Sequence, residues 1–130
     1  MNNPARNPVG WFEIYVQDMD RARNFYQNVF RVTLEPLPSP DPEIEMFVFP
    51  PPMAPDNPGC AGALAKMKDK HSGAGGTIIY FSCEDCAVEA SRVAPNGGKL
   101  HFGKMPIGEY GFIAMFLDPD GNMIGLHSMI

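Results

Sequence analysis

An internal repeat constrains this chain more than any other feature of its sequence. A shift of about 67 positions places Val16 on Cys83 and Asp18 on Asp85. In each half, an alternating apolar run precedes an aspartate that can begin a helix, and three further strand-like runs follow the helix. Each half is therefore predicted to fold as one βαβββ unit. The predicted fold class is α+β, with two tandem units forming a concave sheet cavity that can hold a ligand.

The same patterns set the expected boundaries. We predict one domain over residues 1–130, with the first unit at about 8–67, a glycine-rich joint at about 68–76 and the second unit at about 77–130. The prolines of segment 50–58 predict a stiff, non-helical loop. Helical spacing in the first unit predicts one buried stripe, formed by Ala22, Phe25, Tyr26 and Val29.

Composition excludes several classes of function. The chain has 130 residues, is 45% hydrophobic and 19% charged, and carries a net charge of -5, which favours a globular domain and disfavours nucleic-acid or anionic-membrane binding. No apolar run is long enough for a membrane span, and no secretory signal is visible, so we expect a cytoplasmic protein. The pair Cys83 and Cys86 has the C-x-x-C spacing. It indicates either a redox or zinc site, or two thiols packed in the core.

Short motifs carry a resemblance to a known family. The segment "VQDMDRARNFYQNVF" near the start, the ending "FLDPDGNMI" and the paired βαβββ repeat resemble the vicinal oxygen chelate superfamily. That superfamily includes glyoxalase I, extradiol dioxygenases, methylmalonyl-CoA epimerase, and the fosfomycin and bleomycin resistance proteins. The segments "IGEYGFIAMF" and "IGLHS" look most like glyoxalase-related proteins of unassigned activity. The resemblance covers nearly the whole chain and implies the fold predicted from the repeat.

The resemblance also implies where a metal would be held. In the metal-dependent members, the first and last strands of each unit contribute one His, Gln or Glu to a divalent ion. The matching positions here are Trp11, Ile78, Gly125, and either Gly62 or Ala63. None of these side chains can ligate a metal, so we expect no metal cofactor and no ordinary glyoxalase I or dioxygenase activity. A glycine at position 125 is expected to leave space on the cavity wall.

Strand alternation predicts which side chains share a face with those positions. The candidates for ligand binding on that face are Trp11, Tyr15, Ile78, Tyr80, Met123 and Gly125. The alternative for the apolar and aromatic members is that they are core residues.

Two ionisable residues on this face are the catalytic candidates. Glu13 is either a general base or ligand anchor, or a structural hydrogen-bond partner for Tyr80, His127 or a loop amide. His127 is either an acid–base group or a structural residue. A displaced metal site would need His101 or His71 as well.

The resemblance, together with these residues, leaves two functions open. The first is a metal-independent enzyme, of the lyase or isomerase type, on a glyoxalase-like scaffold. The alternative is a non-catalytic protein of the bleomycin-resistance type that binds an apolar or aromatic small molecule. In both cases we expect a homodimer, as is common among the proteins that this chain resembles, with no nucleic-acid or membrane partner.

Overall fold

The computed structural model describes residues 7–51 and 59–130, so the predicted proline loop lies largely outside the described residues. The first half of the described chain contains β1 (Val9–Tyr15), α1 (Met19–Phe30), β2 (Glu35–Pro36), β3 (Glu45–Val48) and β4 (Ala61–Lys66). The second half contains β5 (Thr77–Ser82), α2 (Cys86–Ser91), β6 (Lys99–Pro106), β7 (Phe112–Leu117) and β8 (Met123–Ser128). The predicted α+β fold of two βαβββ units is confirmed.

The chain divides into two compact units. The N-terminal unit is Phe12–Thr77, and the C-terminal unit is Ile78–Ile130 with the described residues up to Trp11. The strand order is β2-β3-β4-β1 in the N-terminal unit and β5-β8-β7-β6 in the C-terminal unit. Strands β5 and β8 are parallel, with Tyr80 opposite Gly125 and Ser82 opposite His127. This register brings the predicted site positions of β5 and β8 side by side.

Aspartates begin both helices, as the repeat predicts. The Asp18 carboxylate accepts a hydrogen bond from the Arg21 backbone N–H at 3.1 Å, and the Asp85 carboxylate accepts one from Ala87 at 3.0 Å. Each aspartate thereby satisfies a donor at the start of a helix that has no partner within the helix. The second helix is the shorter one and is followed by a 3₁₀ turn, Ala94–Asn96.

The buried face of α1 differs from the predicted stripe. Ala22 and Tyr26 pack against the core, but Phe25 and Val29 are 58% and 55% exposed. The prediction was wrong for these two residues. The buried line of the helix runs from Met19 through Ala22 to Tyr26, so Phe25 lies to one side of it and Val29 lies in the last turn.

Each unit has its own apolar core between its helix and its strands. The core of the N-terminal unit consists of Val16, Met19, Leu34 and Leu64, with partly buried neighbours that include Ile14, Phe47 and Phe49. The core of the C-terminal unit consists of Cys83, Cys86, Ala90, Ala114 and Leu126, with Phe81, Phe112 and Phe116 against it. These contacts show which face of each strand is turned to the helix.

The orientation of β3, which the sequence leaves open, follows from these contacts. Phe47 packs with the core of α1, and the guanidinium carbon of Arg23 lies 4.0 Å from the centre of the Phe47 ring. Phe47 and Phe49 are therefore core residues of the N-terminal unit.

Within residues 7–51 and 59–130, no helix is both long and apolar enough to cross a membrane.

Candidate functional site

In each unit, the strands have one face that packs against the helix and an opposite face, which we call the helix-free face. On β1, Ile14 packs with the core of α1, so alternation turns Trp11, Glu13 and Tyr15 to the helix-free face. On β5 and β8, Phe81 and Leu126 pack with the core of α2. The residues turned the other way on these two strands are Ile78, Tyr80, Ser82, Met123, Gly125 and His127.

Glu13 and Tyr15 form a hydrogen-bonded pair on the helix-free face of β1. The Tyr15 hydroxyl donates to Oε1 of Glu13 at 2.8 Å. Glu13 is half-buried, whereas Tyr15 is buried. The sequence raised Tyr80, His127 or a loop amide as structural partners for Glu13, and the structure adds Tyr15, whose hydroxyl lies on Oε1. The signal for this pairing was the spacing of two residues within one strand.

The environment of Tyr15 keeps its proton in place. Burial raises the pKa of Tyr15 far above its ordinary value of 10.0, and the negative charge of Glu13 and the hydrogen bond to it raise the pKa further. At neutral pH Tyr15 is therefore a neutral phenol, and its hydroxyl donates to Glu13.

Gly125 does not leave the space that the sequence suggested. A Cβ atom at position 125 would overlap the ring carbons of Tyr80, which lies opposite it on β5. Tyr80 is only 6% exposed, so its ring fills the space beside the glycine. The prediction of free space on the cavity wall is therefore wrong. The Tyr80 ring packs so closely against position 125 that only glycine fits there.

His127 is tied to a loop by its ring. Its Nε2 lies 2.6 Å from the backbone carbonyl oxygen of Tyr110. Because a carbonyl oxygen can only accept, His127 donates through Nε2–H, and in the neutral ring Nδ1 then carries the lone pair. The residue that sets this state is Tyr110. Sequence reasoning missed it, since a backbone carbonyl leaves no side-chain signal.

The loop that carries Tyr110 sits at the end of β8. It contains a 3₁₀ turn, Gly108–Tyr110, followed by Gly111 with φ of 100°. A Cβ atom at Gly111 would overlap the backbone oxygen of Ser128, so both the positive φ and the close approach require glycine here. This glycine lets the loop lie close enough for the contact with His127.

The internal repeat resolves the ambiguous metal position. The N–H of Val16 donates to the oxygen of Ala65 at 2.9 Å, just as the N–H of Cys83 donates to His127 at 2.7 Å. Ala65 is thus the counterpart of His127, and Ala63, two residues earlier, is the counterpart of Gly125. Leu64 and Leu126 lie in the cores of their units, which agrees with this alignment. The position in question is Ala63.

The residues at the four positions therefore do not fit a metal ion. Trp11, Ala63, Ile78 and Gly125 offer no ligating side-chain atom, and the Tyr80 ring fills the space beside Gly125. Among the residues that the structure describes, no three His, Cys, Asp or Glu side chains are grouped so that they could hold a metal. His71 and His101, which a displaced site would need, are exposed.

Several predicted ligand-binding residues are well packed. Ile78 is 2% exposed, and Tyr15, Tyr80 and Gly125 are buried as well. Trp11 and Met123 are partly exposed. Their contact with a ligand stays a prediction, and Trp11 and Met123 offer the most accessible surface of the six.

The cysteine pair lies within the C-terminal core. Cys83 and Cys86 are both buried free thiols, while Cys60 is exposed. Burial raises the pKa of the Cys83 thiol to about 12, and the Glu89 carboxylate adds to the effect. A thiol that keeps its proton is a poor nucleophile and a poor ligand, so the structure favours packing as the role of Cys83.

A shallow groove of about 510 Å³ lies elsewhere in the N-terminal unit. It is lined by Pro36, Leu37, Pro38, Pro42, Ile44, Glu45, Met46 and Phe47. None of the predicted site residues is among them.

Comparison with known proteins agrees with the fold. A family model described as Glyoxalase/Bleomycin resistance protein/Dioxygenase superfamily matches residues 9–126. A search of curated proteins gave no significant match.

Three solved structures illustrate the similarity in fold. A methylmalonyl-CoA epimerase of Streptomyces coelicolor, in complex with 2-nitronate-propionyl-CoA, has a TM-score of 0.69 at 15% identity, over 93% of this chain and 96% of that one. The methylmalonyl-CoA epimerase of Mycobacterium tuberculosis has a TM-score of 0.67 at 17% identity, over 95% and 88%. A hypothetical protein of Bacillus halodurans has a TM-score of 0.65 at 12% identity, over 92% of each chain.

Proposed function

Because the chain belongs to the Glyoxalase/Bleomycin resistance protein/Dioxygenase superfamily, we propose that it acts on a small organic molecule. The proposed activity is proton transfer without a divalent metal, of the lyase or isomerase type. The proposed acid–base group is Glu13 or His127. The observation that carries this proposal is the hydrogen bond from the Tyr15 hydroxyl to the Glu13 carboxylate.

The chemistry of Glu13 supports this role. It is a half-buried carboxylate on a strand, and its neighbours at positions 11 and 15 of the same face are aromatic. Burying a carboxylate costs free energy, and the hydrogen bond from Tyr15 offsets part of this cost. The carboxylate is thus fixed in an apolar setting, where a proton acceptor is most effective.

His127 supports the same kind of reaction in the other unit. Its Nε2–H is used by the Tyr110 carbonyl, so the basic nitrogen of the neutral ring is Nδ1. The imidazole therefore has a fixed orientation and one defined basic atom, as a general base requires.

The surroundings favour an uncharged, apolar or aromatic ligand. On the helix-free face of the C-terminal unit, the residues opposite His127 and Gly125 on β7 are Ile113 and Met115. Met123 lies on the same face of β8. Two of the similar structures are epimerases, which belong to the isomerases, and this supports the isomerase option for this chain.

One observation favours the alternative, a non-catalytic binding protein of the bleomycin-resistance type. Trp11 and Met123 on the helix-free face are large apolar side chains that stay partly exposed. Such a surface can hold an apolar molecule without any chemical step. In this case Glu13 and His127 would be structural residues.

Exchange of carbon-bound hydrogen distinguishes the two functions. Small uncharged aldehydes, ketones and aromatic esters are incubated one at a time with the protein in D₂O, after dialysis against a chelator, and followed by ¹H NMR. We expect at least one compound to lose the signal of a hydrogen next to its carbonyl group. Substituting Glu13→Gln or His127→Gln should slow this loss by about 100-fold or more.

Matched controls make the result specific. Glutamine at position 127 can still donate a hydrogen bond to Tyr110, so the loop contact is retained while the base is removed. Glu35→Gln and His101→Gln change exposed residues of the same types and should keep the wild-type rate. A compound that binds without exchange would establish the binding function instead, and a rate restored only by a divalent ion would contradict metal independence.

A further inference from the structure

Tyr15 is a buried residue with contacts to its backbone and to its ring. Its backbone N–H donates to the oxygen of Gly76 at 2.7 Å, and Lys70 Nζ lies 6.0 Å from the centre of its ring. The side chain of Gln17 donates to the Lys70 backbone oxygen at 3.0 Å, which holds the lysine. The ring is 7% exposed. These contacts hold the backbone and ring of Tyr15, and the hydroxyl on that ring donates to Glu13.

We propose that Tyr15 is a positioning residue: its hydroxyl orients the Glu13 carboxylate, so that Glu13 can accept a proton from a ligand. This inference rests on the proposed function of Glu13. It assigns Tyr15 a role through Glu13 rather than through direct contact with a ligand.

The direction of the hydrogen bond is what makes the role specific. Because the phenol keeps its proton, it can only donate to Glu13, and it does not compete with the carboxylate as an acceptor. Glu13 is thereby held as a base in one orientation.

The internal repeat supports a dedicated role. A shift of 67 positions places Glu13 on Tyr80 and Tyr15 on Ser82, so the C-terminal unit has no counterpart of the pair. The fold of a βαβββ unit therefore does not require it. The pair is an addition of the N-terminal unit.

The experiment measures both the contact and its consequence. The hydroxyl proton of Tyr15 is observed by NMR on protein labelled with ¹³C-tyrosine. We expect Glu13→Gln to change its resonance position and to speed its exchange with water at least about 10-fold, because a charge-assisted bond becomes a neutral one. Glu35→Gln is the control and should leave the proton unchanged.

The consequence is measured with the deuterium-exchange reaction and a carbonyl compound that the wild type turns over. Tyr15→Phe should lower kcat by about 10- to 100-fold with little change in KM, since a bond to a charged group is lost while the ring remains. Tyr26→Phe removes a hydroxyl from the same unit and should change neither quantity.

The outcomes separate this inference from the proposed function. Activity that is lost in Glu13→Gln but retained in Tyr15→Phe would overturn the role of Tyr15 and leave the proposed function intact. An unchanged Tyr15 hydroxyl proton in Glu13→Gln would overturn it as well. Activity that survives Glu13→Gln would instead overturn the proposed role of Glu13 and, with it, that of Tyr15.

Discussion

The two units share a backbone arrangement but use the helix-free face differently. In both, the residue after the first strand donates its N–H to the last strand: Val16 to Ala65 and Cys83 to His127. Around this shared bond, the N-terminal unit has the Glu13 carboxylate and the Tyr15 phenol on β1, and buried Ala63 and Ala65 on the neighbouring strand β4. The C-terminal unit places an aromatic ring beside a glycine, with an imidazole two residues further along.

This difference shows how volume is divided between adjacent strands. Tyr80 is large and its neighbour Gly125 has no side chain, while at the matching positions of the N-terminal unit Glu13 is smaller than tyrosine and Ala63 carries a methyl group. A sheet face tolerates a large residue where the adjacent strand has a small one. The repeat therefore fixes the backbone, and pairs of residues on neighbouring strands determine the chemistry of each half.

The largest expected effect on stability comes from substituting Tyr80 or Gly125, which pack against each other. Tyr80→Ala should lower the free energy of unfolding by about 3 kcal/mol or more, because it leaves a cavity at a buried position. Gly125→Ala should cost about 1–3 kcal/mol through overlap with the ring. Both are measured by urea unfolding.

The double variant tests whether the two residues act as a pair. With the ring removed, the new methyl group at position 125 has room, so the combined cost should be smaller than the sum by about 1 kcal/mol or more. The counterpart change Ala63→Gly should cost about 1 kcal/mol, through the lost methyl group and the more flexible backbone. Simple additivity in the double variant would refute the idea that the ring requires the glycine.

Much of the fold could be predicted from the sequence, because strand alternation and the repeat are local patterns. The repeat predicted that Asp18 and Asp85 begin the two helices. Strand alternation predicted which residues of β1, β5 and β8 share a face. The exposed Phe25 was not predictable, since helical spacing gives rows of residues but not where the sheet ends. In the candidate site, too, local patterns predicted some features and missed others.

Within the site, the face of each residue was predictable and its partner was not. Glu13 and Tyr15 were assigned to one face, but their hydrogen bond depends on side-chain rotamers. The role of Gly125 was misjudged because its neighbour Tyr80 lies 45 positions away in sequence and reaches it only through strand pairing. The Tyr110 carbonyl that fixes His127 is a backbone atom, and every residue has one.

A second, smaller effect should appear at alkaline pH and is specific to the N-terminal unit. The pKa of Tyr15 is raised in the folded state, so its contribution to stability is complete below about pH 10 and falls as the pH rises further. Above pH 10 the unfolded chain has released this proton and the folded chain still holds it. The free energy of unfolding should therefore fall by up to about 1.4 kcal/mol per pH unit from this group.

The comparison of wild type with Tyr15→Phe isolates this group. Both proteins retain Cys83, whose pKa of about 12 gives a similar loss that begins near pH 9. The quantity to follow, by urea unfolding from pH 8 to 11, is the free energy of unfolding of the wild type minus that of Tyr15→Phe. It should be constant up to about pH 10 and then decrease. A difference that stays constant across the whole range would show that Tyr15 loses its proton as readily in the folded state as in the unfolded chain.

The smallest effect is expected where the two units already carry interchangeable residues. Cys83 is the counterpart of Val16, and both are buried in the core of their unit. Cys83→Val should therefore change the free energy of unfolding by less than about 1.5 kcal/mol, because it nearly conserves volume and polarity.

Thiol labelling of the folded wild type is the control. The exposed Cys60 should react first, since the raised pKa of Cys83 leaves about a thousandfold less thiolate than an ordinary thiol. Rapid labelling of Cys83, or a loss of activity in Cys83→Val, would mean that the C-terminal unit uses this thiol for chemistry rather than for packing.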